Sequence, residues 1–304
     1  MASEAEVRLK LKSDLEYYAA KCLKIRGKDK LQNFILNKAQ LYIHDLLEKQ
    51  LLETGRVRAI ILKGRQQGCS TYAEARLMWK VTHTKGVRAF ILTHEESASQ
   101  TLFEMAKRYY DNLPDQIKPS ISAVNSKELR FDKLDSGYRV GTAGNKSVGR
   151  SQTNQFFHGS EVAFWPNAAE HAKGILQTVP NSDNTEVIYE STANGVGNFF
   201  HEQWKAAESG ESDFIAIFVP WFWQDEYRRV APQDIELTQD EVDLKNYYLI
   251  DNDQILWRRK KIIELSSGGM DGVKAFNQEY PMNSVEAFQV SGGDGLIKAE
   301  HVLK

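Results

Sequence analysis

An apolar run at residues 57–62 (VRAIIL) breaks into a glycine-containing loop, KGRQQGCS, and then into a helical-looking stretch, STYAEARLMWKV. The same order returns at residues 87–93 (VRAFILT), followed by helical spacing over about 97–112. Parallel strands need long crossovers, so short apolar runs alternating with helices predict a mainly parallel sheet covered on both faces. Further strands are expected at 155–158, 186–190 and 214–220. A hairpin is expected in KELRFDKLDSGYRVGTA, with its turn at Asp135-Ser136-Gly137. Ligands of such sheets bind beyond the carboxyl ends of the strands. The loops after Leu62, Thr93, His158 and Glu190 are therefore where chemistry is expected.

Residues 1–55 read as a mostly helical N-terminal segment. LEYYAAKCLKI and QNFILNKAQLYIHDLLEKQLL both place apolar residues three and four apart. An α/β core is expected over 56–233. From about Asp234 the chain turns into two charged helices with a break near Asp251, read as a small helical subdomain over 234–290. Residues 291–304 read as the start of a junction. The 304 residues are 41% hydrophobic and include six Trp, 12 Tyr and 14 Phe, which supports a packed core and argues against disorder. No apolar run approaches the ~20 residues of a membrane helix. The N-terminal MASEAEVRLKLK has no apolar signal-peptide core. Two cysteines, Cys22 and Cys69, make neither a disulfide framework nor a zinc site and point to a reducing cytoplasm. The net charge of −2 confines any nucleic-acid surface to a local patch. WRRKKII (257–263), residues 85–88 and Lys107-Arg108 are basic clusters, and each reads first as a solvated helix face.

Laid on Gly68, the phosphate-loop pattern G-x-x-x-x-G-K-[ST] puts Lys63 at the first glycine, Cys69 at the lysine and Ser70 at the hydroxyl. Gly64 and Gly68 let the backbone approach phosphates, and Ser70 or Thr71 offers a hydroxyl to Mg²⁺. The positive charge has to come from Lys63 or Arg65. Alone, the loop reads first as an ordinary strand-to-helix turn with surface charges. Glu161 ends the run NQFFHGSE, where an acid holds Mg²⁺ or orients a water, or simply opens a helix. Ser160 stands beside it, where an aspartate is common. A polar turn, Ser191-Thr192-Ala193-Asn194, follows the run EVIYE, and helix capping explains only part of it. Arg150 lies in the glycine-rich GNKSVGRSQ. It is either a surface residue or an arginine that acts on a phosphoryl transition state across a subunit interface.

In this order the four pieces resemble the ATPase domain of the large terminase subunit of tailed bacteriophages, the motor that packages DNA into the procapsid. The resemblance runs from about residue 30 to 290. It implies a RecA/ASCE-type P-loop NTPase fold that uses ATP and Mg²⁺. Lys63 or Arg65 would serve the β and γ phosphates, within an ATP loop of Gly64, Arg65, Gln66, Gln67, Gly68, Cys69, Ser70 and Thr71. The Gln40 amide, in NKAQLYIHDLL, would face the adenine. Glu161 resembles the catalytic glutamate, Arg150 the arginine finger, and Ser191, Thr192 and Asn194 the coupling motif. Ser70 and Glu161 would lie at the metal. Two departures matter: Cys69 replaces the usual lysine, and Ser160 replaces the usual aspartate. A hydroxyl is a weaker Mg²⁺ ligand than a carboxylate, and Glu190 on the neighbouring strand is a substitute. The implied partners are double-stranded DNA, the terminase small subunit, the procapsid portal and further copies in a ring, in the host cytoplasm and without a membrane. Large terminase subunits continue into a nuclease domain, whereas this chain stops soon after YPMNSVEAFQVSGG, so no DNA cleavage is expected. Two other readings stand beside this one: a superfamily 2 helicase lacking its second RecA-like domain, and a non-enzymatic DNA-binding or assembly module with a decayed nucleotide site.

Overall fold

Helix caps and the alternation of apolar side chains set the backbone of this protein, for which the computed structural model describes residues 3–144, 152–267 and 271–288. Ser3 caps α1 (Glu4–Ser13), and Asp14 caps α2 (Leu15–Cys22). A two-stranded hairpin of β1 (Lys24–Arg26) and β2 (Leu31–Asn33) follows, in place of the helix expected through LKI. Asn37 and Gln40 form a capping box that starts α3 (Lys38–Thr54). Residues 32–37 share the helical spacing but stay outside the helix, because the cap fixes its first turn. Gly55, at φ 75°, ends it.

The core then alternates as expected: β3 (Val57–Lys63), α4 (Cys69–His83), β4 (Arg88–Thr93), α5 (Glu96–Asp111), β5 (Ala123–Val124), β6 (Glu128–Phe131), β7 (Ser136–Thr142), β8 (Phe156–Ser160), α6 (Ala168–Leu176), β9 (Glu186–Ser191), α7 (Phe199–Glu208) and β10 (Ile215–Val219). The sheet order is β10-β3-β9-β8-β4-β7-β6-β5. The pairs from β10 to β7 are parallel, and β6 and β5 are antiparallel. The turn between β6 and β7 begins three residues earlier than its sequence suggests. A 3₁₀ turn at Asp132–Leu134 leads to Asp135 in the left-handed region, and Ser136 and Gly137 already belong to β7. Aspartate tolerates that conformation better than most residues.

Successive residues of β3 serve opposite faces. Val57, Ala59 and Ile61 join a core with Tyr18, Ile43, Tyr72 and Phe103, from the helices on one side. Ile60 and Leu62 join a second core with Ile175, Phe200 and Trp204 on the other. A third apolar cluster joins Trp221, Tyr227, Ile250, Ile255, Phe276 and Met282. It holds together α8 (Gln239–Tyr248), α9 (Asn252–Leu265) and α10 (Gly272–Glu279), whereas Ala287 of α11 (Ser284–Ala287) joins the second core. Asp251 caps α9 and so makes the break expected there. Much of the WRRKKII face is committed locally. Trp257 stacks on Tyr227 with ring centroids 4.4 Å apart, Arg259 pairs with Glu241, and Arg258 lies over Phe276. No described helix is long and apolar enough to cross a membrane.

Beneath the sheet, α4 carries a charge network that its amphipathic sequence hides. Arg76 is completely buried and donates to both oxygens of Glu186 (2.7 and 3.0 Å) and to Glu48 (2.6 Å). Lys80 also pairs with Glu186, at 3.1 Å.

Candidate active site

The loop between β3 and α4 is shaped by two left-handed residues, Gln66 (φ 54°) and Gly68 (φ 76°). Gly68 is the N-cap of α4, and no side chain caps that helix. The first bond of the helix ladder runs from the Tyr72 N–H to the Gly68 carbonyl, leaving the N–H groups of Cys69, Ser70 and Thr71 without partners in the turn below. Such a terminus is a ready anion site. The loop is braced from α3: Gln40 Nε2 donates to the Gly68 carbonyl at 2.8 Å, and Asn37 Nδ2 donates to that of Gln67 at 3.3 Å. Gln40 Oε1 accepts from the Asn37 N–H. Expected to face a base, the Gln40 amide instead spends both ends on backbone. Gln67 is buried and donates to the Trp221 carbonyl. A Cβ on Gly68 would lie 2.6 Å from Gln40 Nε2, on a backbone conformation that L residues disfavour. Gly68→Ala is therefore expected to cost about 1–2 kcal/mol from the backbone alone, and more through the lost Gln40 brace. A lowered melting temperature checks it.

The two candidate cations part company. Lys63, the last residue of β3, is buried, and its Nζ lies 2.8 Å from Glu161 Oε1 and 3.1 Å from Glu190 Oε2. Burial alone would lower its pKa, but the two carboxylates outweigh it and hold the ammonium above its ordinary value. Arg65 points the other way. Its guanidinium pairs with Glu279 of α10, and its N–H donates to the Glu279 carbonyl at 2.9 Å. Tyr227 donates its hydroxyl to the Arg65 carbonyl at 2.8 Å, and Gln224 donates to that of Gln66 at 2.7 Å. The Cys69 thiol is buried and pushed up to about 12, so it stays neutral.

Glu190 is the hub of the site. Strand register places it opposite Ser160 across β8–β9. Its Oε1 accepts from Ser70 and from Ser160, both at 2.7 Å. Behind it, His158 Nε2 lies 3.6 Å away, beyond hydrogen-bond range, while Nδ1 is 2.7 Å from Glu74. Burial would raise the Glu190 pKa, but Lys63 and His158 hold it below the usual carboxylate range. Burial opposes a charged His158, yet Glu190 and Glu74 hold its pKa up at about 9. This chain of groups has no motif in the sequence, because it depends on which strands become neighbours. Among the described residues, no three His, Cys, Asp or Glu side chains gather to hold a metal by themselves.

Glu161 follows β8 in the left-handed region, at φ 53°, a conformation that non-glycine residues keep only where surrounding structure imposes it. Trp165 Nε1 donates to the Ser160 carbonyl, and the close packing of Trp165, Tyr189 and Val162 leaves no room for a side chain at Gly159. Glu161 is 27% exposed, whereas Glu190 is fully buried. The Ser191 hydroxyl and the Thr192 N–H both donate to Glu161 Oε2, at 3.3 Å. Ser191 Oγ accepts from the Ala163 N–H, and Asn194 Nδ2 donates to the Ala163 carbonyl. The polar turn after β9 thus grips the segment that carries Glu161. Arg150 and residues 291–304 lie outside the described residues.

The fold as a whole has counterparts among solved structures. The Thermus phage P74-26 large terminase ATPase domain matches with a TM-score of 0.55 at 18% identity, over 82% of this chain and 94% of that one. The HK97 bacteriophage large terminase matches with a TM-score of 0.62 at 14% identity, over 89% of this chain and 54% of that one. The chain has the fold of phage large terminase ATPase domains. This is a RecA-like fold with a mainly parallel sheet flanked by helices. The large terminase of the thermophilic bacteriophage D6E matches with a TM-score of 0.50 at 11% identity, over 75% of this chain and 52% of that one. The chain thus spans about half the length of the HK97 and D6E terminases. No family model matches it.

Proposed function

We propose that this chain is an ATP-hydrolysing motor domain that drives double-stranded DNA into a viral procapsid. One observation carries the reading: Lys63, Ser70, Glu161 and the Ser191–Thr192 turn meet at the carboxyl ends of β3, β8 and β9, in a large-terminase fold. Nucleotide binding is supported by the open N-terminus of α4 and by the left-handed Gly68. The D6E large terminase, a fold relative with a TM-score of 0.50, has been solved in complex with ADP.

In this reading Lys63 supplies the positive charge that Cys69 lacks, since it already lies in the site. Arg65 instead tethers the loop to α10. The oxygen donors present, the Ser70 hydroxyl and nearby carboxylates, suit Mg²⁺. When bound, that ion neutralises the phosphate oxygens, and Ser70 would help to hold it. Glu161, partly exposed and hydrogen-bonded through one oxygen to the turn, orients the attacking water. Ser191, Thr192 and Asn194 carry a change at Glu161 into the helix that follows. Arg150 would act on the nucleotide of a neighbouring copy in a ring. The partners are DNA, the terminase small subunit and the portal.

Titration calorimetry with ATP and Mg²⁺ tests the reading. One nucleotide per chain is expected. No binding would overturn it in favour of a non-enzymatic DNA-binding or assembly module, the reading that Cys69 and Ser160 otherwise favour.

A further inference from the structure

We propose that the carboxylate serving the nucleotide's magnesium ion in this chain is Glu190, one strand away from where Ser160 stands in place of the acid. This rests on the nucleotide-binding reading above. The sheet register supplies the first argument. Ser160 and Glu190 are direct partners across β8–β9, so an acid lost from the end of one strand is present at the same level of the next. Neighbouring strands lie only about 4.8 Å apart, a gap that one side chain spans. Glu190 spans it, with Ser160 Oγ 2.7 Å from its Oε1.

The second argument is the company that oxygen keeps. Ser70, the loop hydroxyl placed to meet Mg²⁺, is 2.7 Å from the same Glu190 Oε1. A carboxylate and a hydroxyl converging in this way make a hard-oxygen pair suited to Mg²⁺, which takes few protein ligands and keeps its phosphate and water oxygens. Among the described residues the other oxygen, Oε2, has no aligned hydrogen-bond donor, and it lies 3.1 Å from the Lys63 ammonium. Glu161 is committed elsewhere: its oxygens take Lys63, the Ser191 hydroxyl and the Thr192 N–H, and it opens toward solvent. The two acids therefore divide the work, Glu161 toward water and Glu190 toward the metal. A fully buried carboxylate is costly, and the Lys63 ion pair alone would account for Glu190 as a structural residue. The experiment has to separate these two roles.

The readout is the Mg²⁺-dependent part of nucleotide affinity, measured by calorimetry with a non-hydrolysable ATP analogue in excess Mg²⁺ and in EDTA. The parent is expected to bind about tenfold or more tighter with Mg²⁺. Glu190→Gln is expected to lose the Mg²⁺ enhancement, read as the ratio of its own affinities in the two buffers. Ser160→Asp combined with Glu190→Gln, which moves the acid back one strand, is expected to restore most of it. A purely structural Glu190 would give a Gln variant with its Mg²⁺ enhancement intact, and that result overturns the assignment. If Glu190→Gln does not melt cooperatively, Glu190→Asp keeps the charge beside Lys63 but withdraws it by one methylene. Undiminished Mg²⁺ enhancement in that variant overturns the assignment equally. A parent that binds the analogue in neither buffer overturns the nucleotide reading and this assignment with it, whereas full Mg²⁺ enhancement in the variants overturns this assignment alone.

Discussion

Glu161→Ala is expected to abolish ATP turnover while leaving ATP binding in place. Positioned acid–base groups contribute about 10²–10⁴-fold to rate, and steady-state phosphate release should fall by at least that factor. Binding should survive because the loop, its α3 brace and Lys63 are untouched, and Glu190 still neutralises the ammonium. The backbone at residue 161 already lies at φ 53°, so alanine adds no new conformational demand beyond what glutamate bears. The variant also removes the acceptor shared by Ser191 and Thr192. Phosphate release and calorimetry on the same preparation check it. Hydrolysis at the parent's rate would take Glu161 out of the chemistry altogether.

Arg76→Met is expected to lower stability by about 3–5 kcal/mol, the usual cost of stripping one partner from a buried ion pair. Arg76 and Glu186 are both completely buried, and after the change Lys80 is the one ion-pair partner left to the carboxylate among the described residues. Thermal and denaturant melts read the loss, and a second change, Glu186→Leu, should return much of it by removing the stranded charge. The same pair sets a pH dependence. Burial would raise the Glu186 pKa, but Arg76 and Lys80 override it and hold the group at about 2, below its ordinary 4.5. The unfolded chain therefore takes up this proton first as pH falls. The stability it contributes is present in full above about pH 4.5 and is lost as pH drops toward 2. Melts across that window should slope less steeply in Arg76→Met/Glu186→Leu than in the parent.

The strand–loop–helix units were legible in the sequence because apolar runs and their breaks are local. Val57 to Lys63 and Arg88 to Thr93 emerge from the apolar runs at 57–62 and 87–93, to within one residue at an end. So does the pairing of a phosphate-type loop with an acid at the end of a later strand. What stayed hidden depends on strand order and on distant partners. Glu190 gains its meaning only once β9 lies between β3 and β8, since that order brings Lys63, Ser70 and Ser160 to one carboxylate. Gln40 has a helical spacing compatible with facing a ligand, yet a capping box and the Gly68 carbonyl claim its amide. Arg65 finds Glu279 across 214 residues of chain. Arg76, on a helix with charged neighbours in sequence, gives no local sign that it is buried.

The loop's attachment to α10 also has a mechanical reading. Arg65 is fastened to Glu279 through both backbone and side chain, and Tyr227 and Gln224 hold the carbonyls of Arg65 and Gln66. Tyr227 in turn stacks on Trp257, inside the apolar cluster that carries α9 and α10. The phosphate loop and this helical unit therefore behave as two ends of one strap. Any force that shifts the loop must stretch or release hydrogen bonds anchored in the helices. Because coupling free energies are reciprocal, whatever binding at the loop does to the helices through this strap, binding at the helices does to the loop by the same free energy.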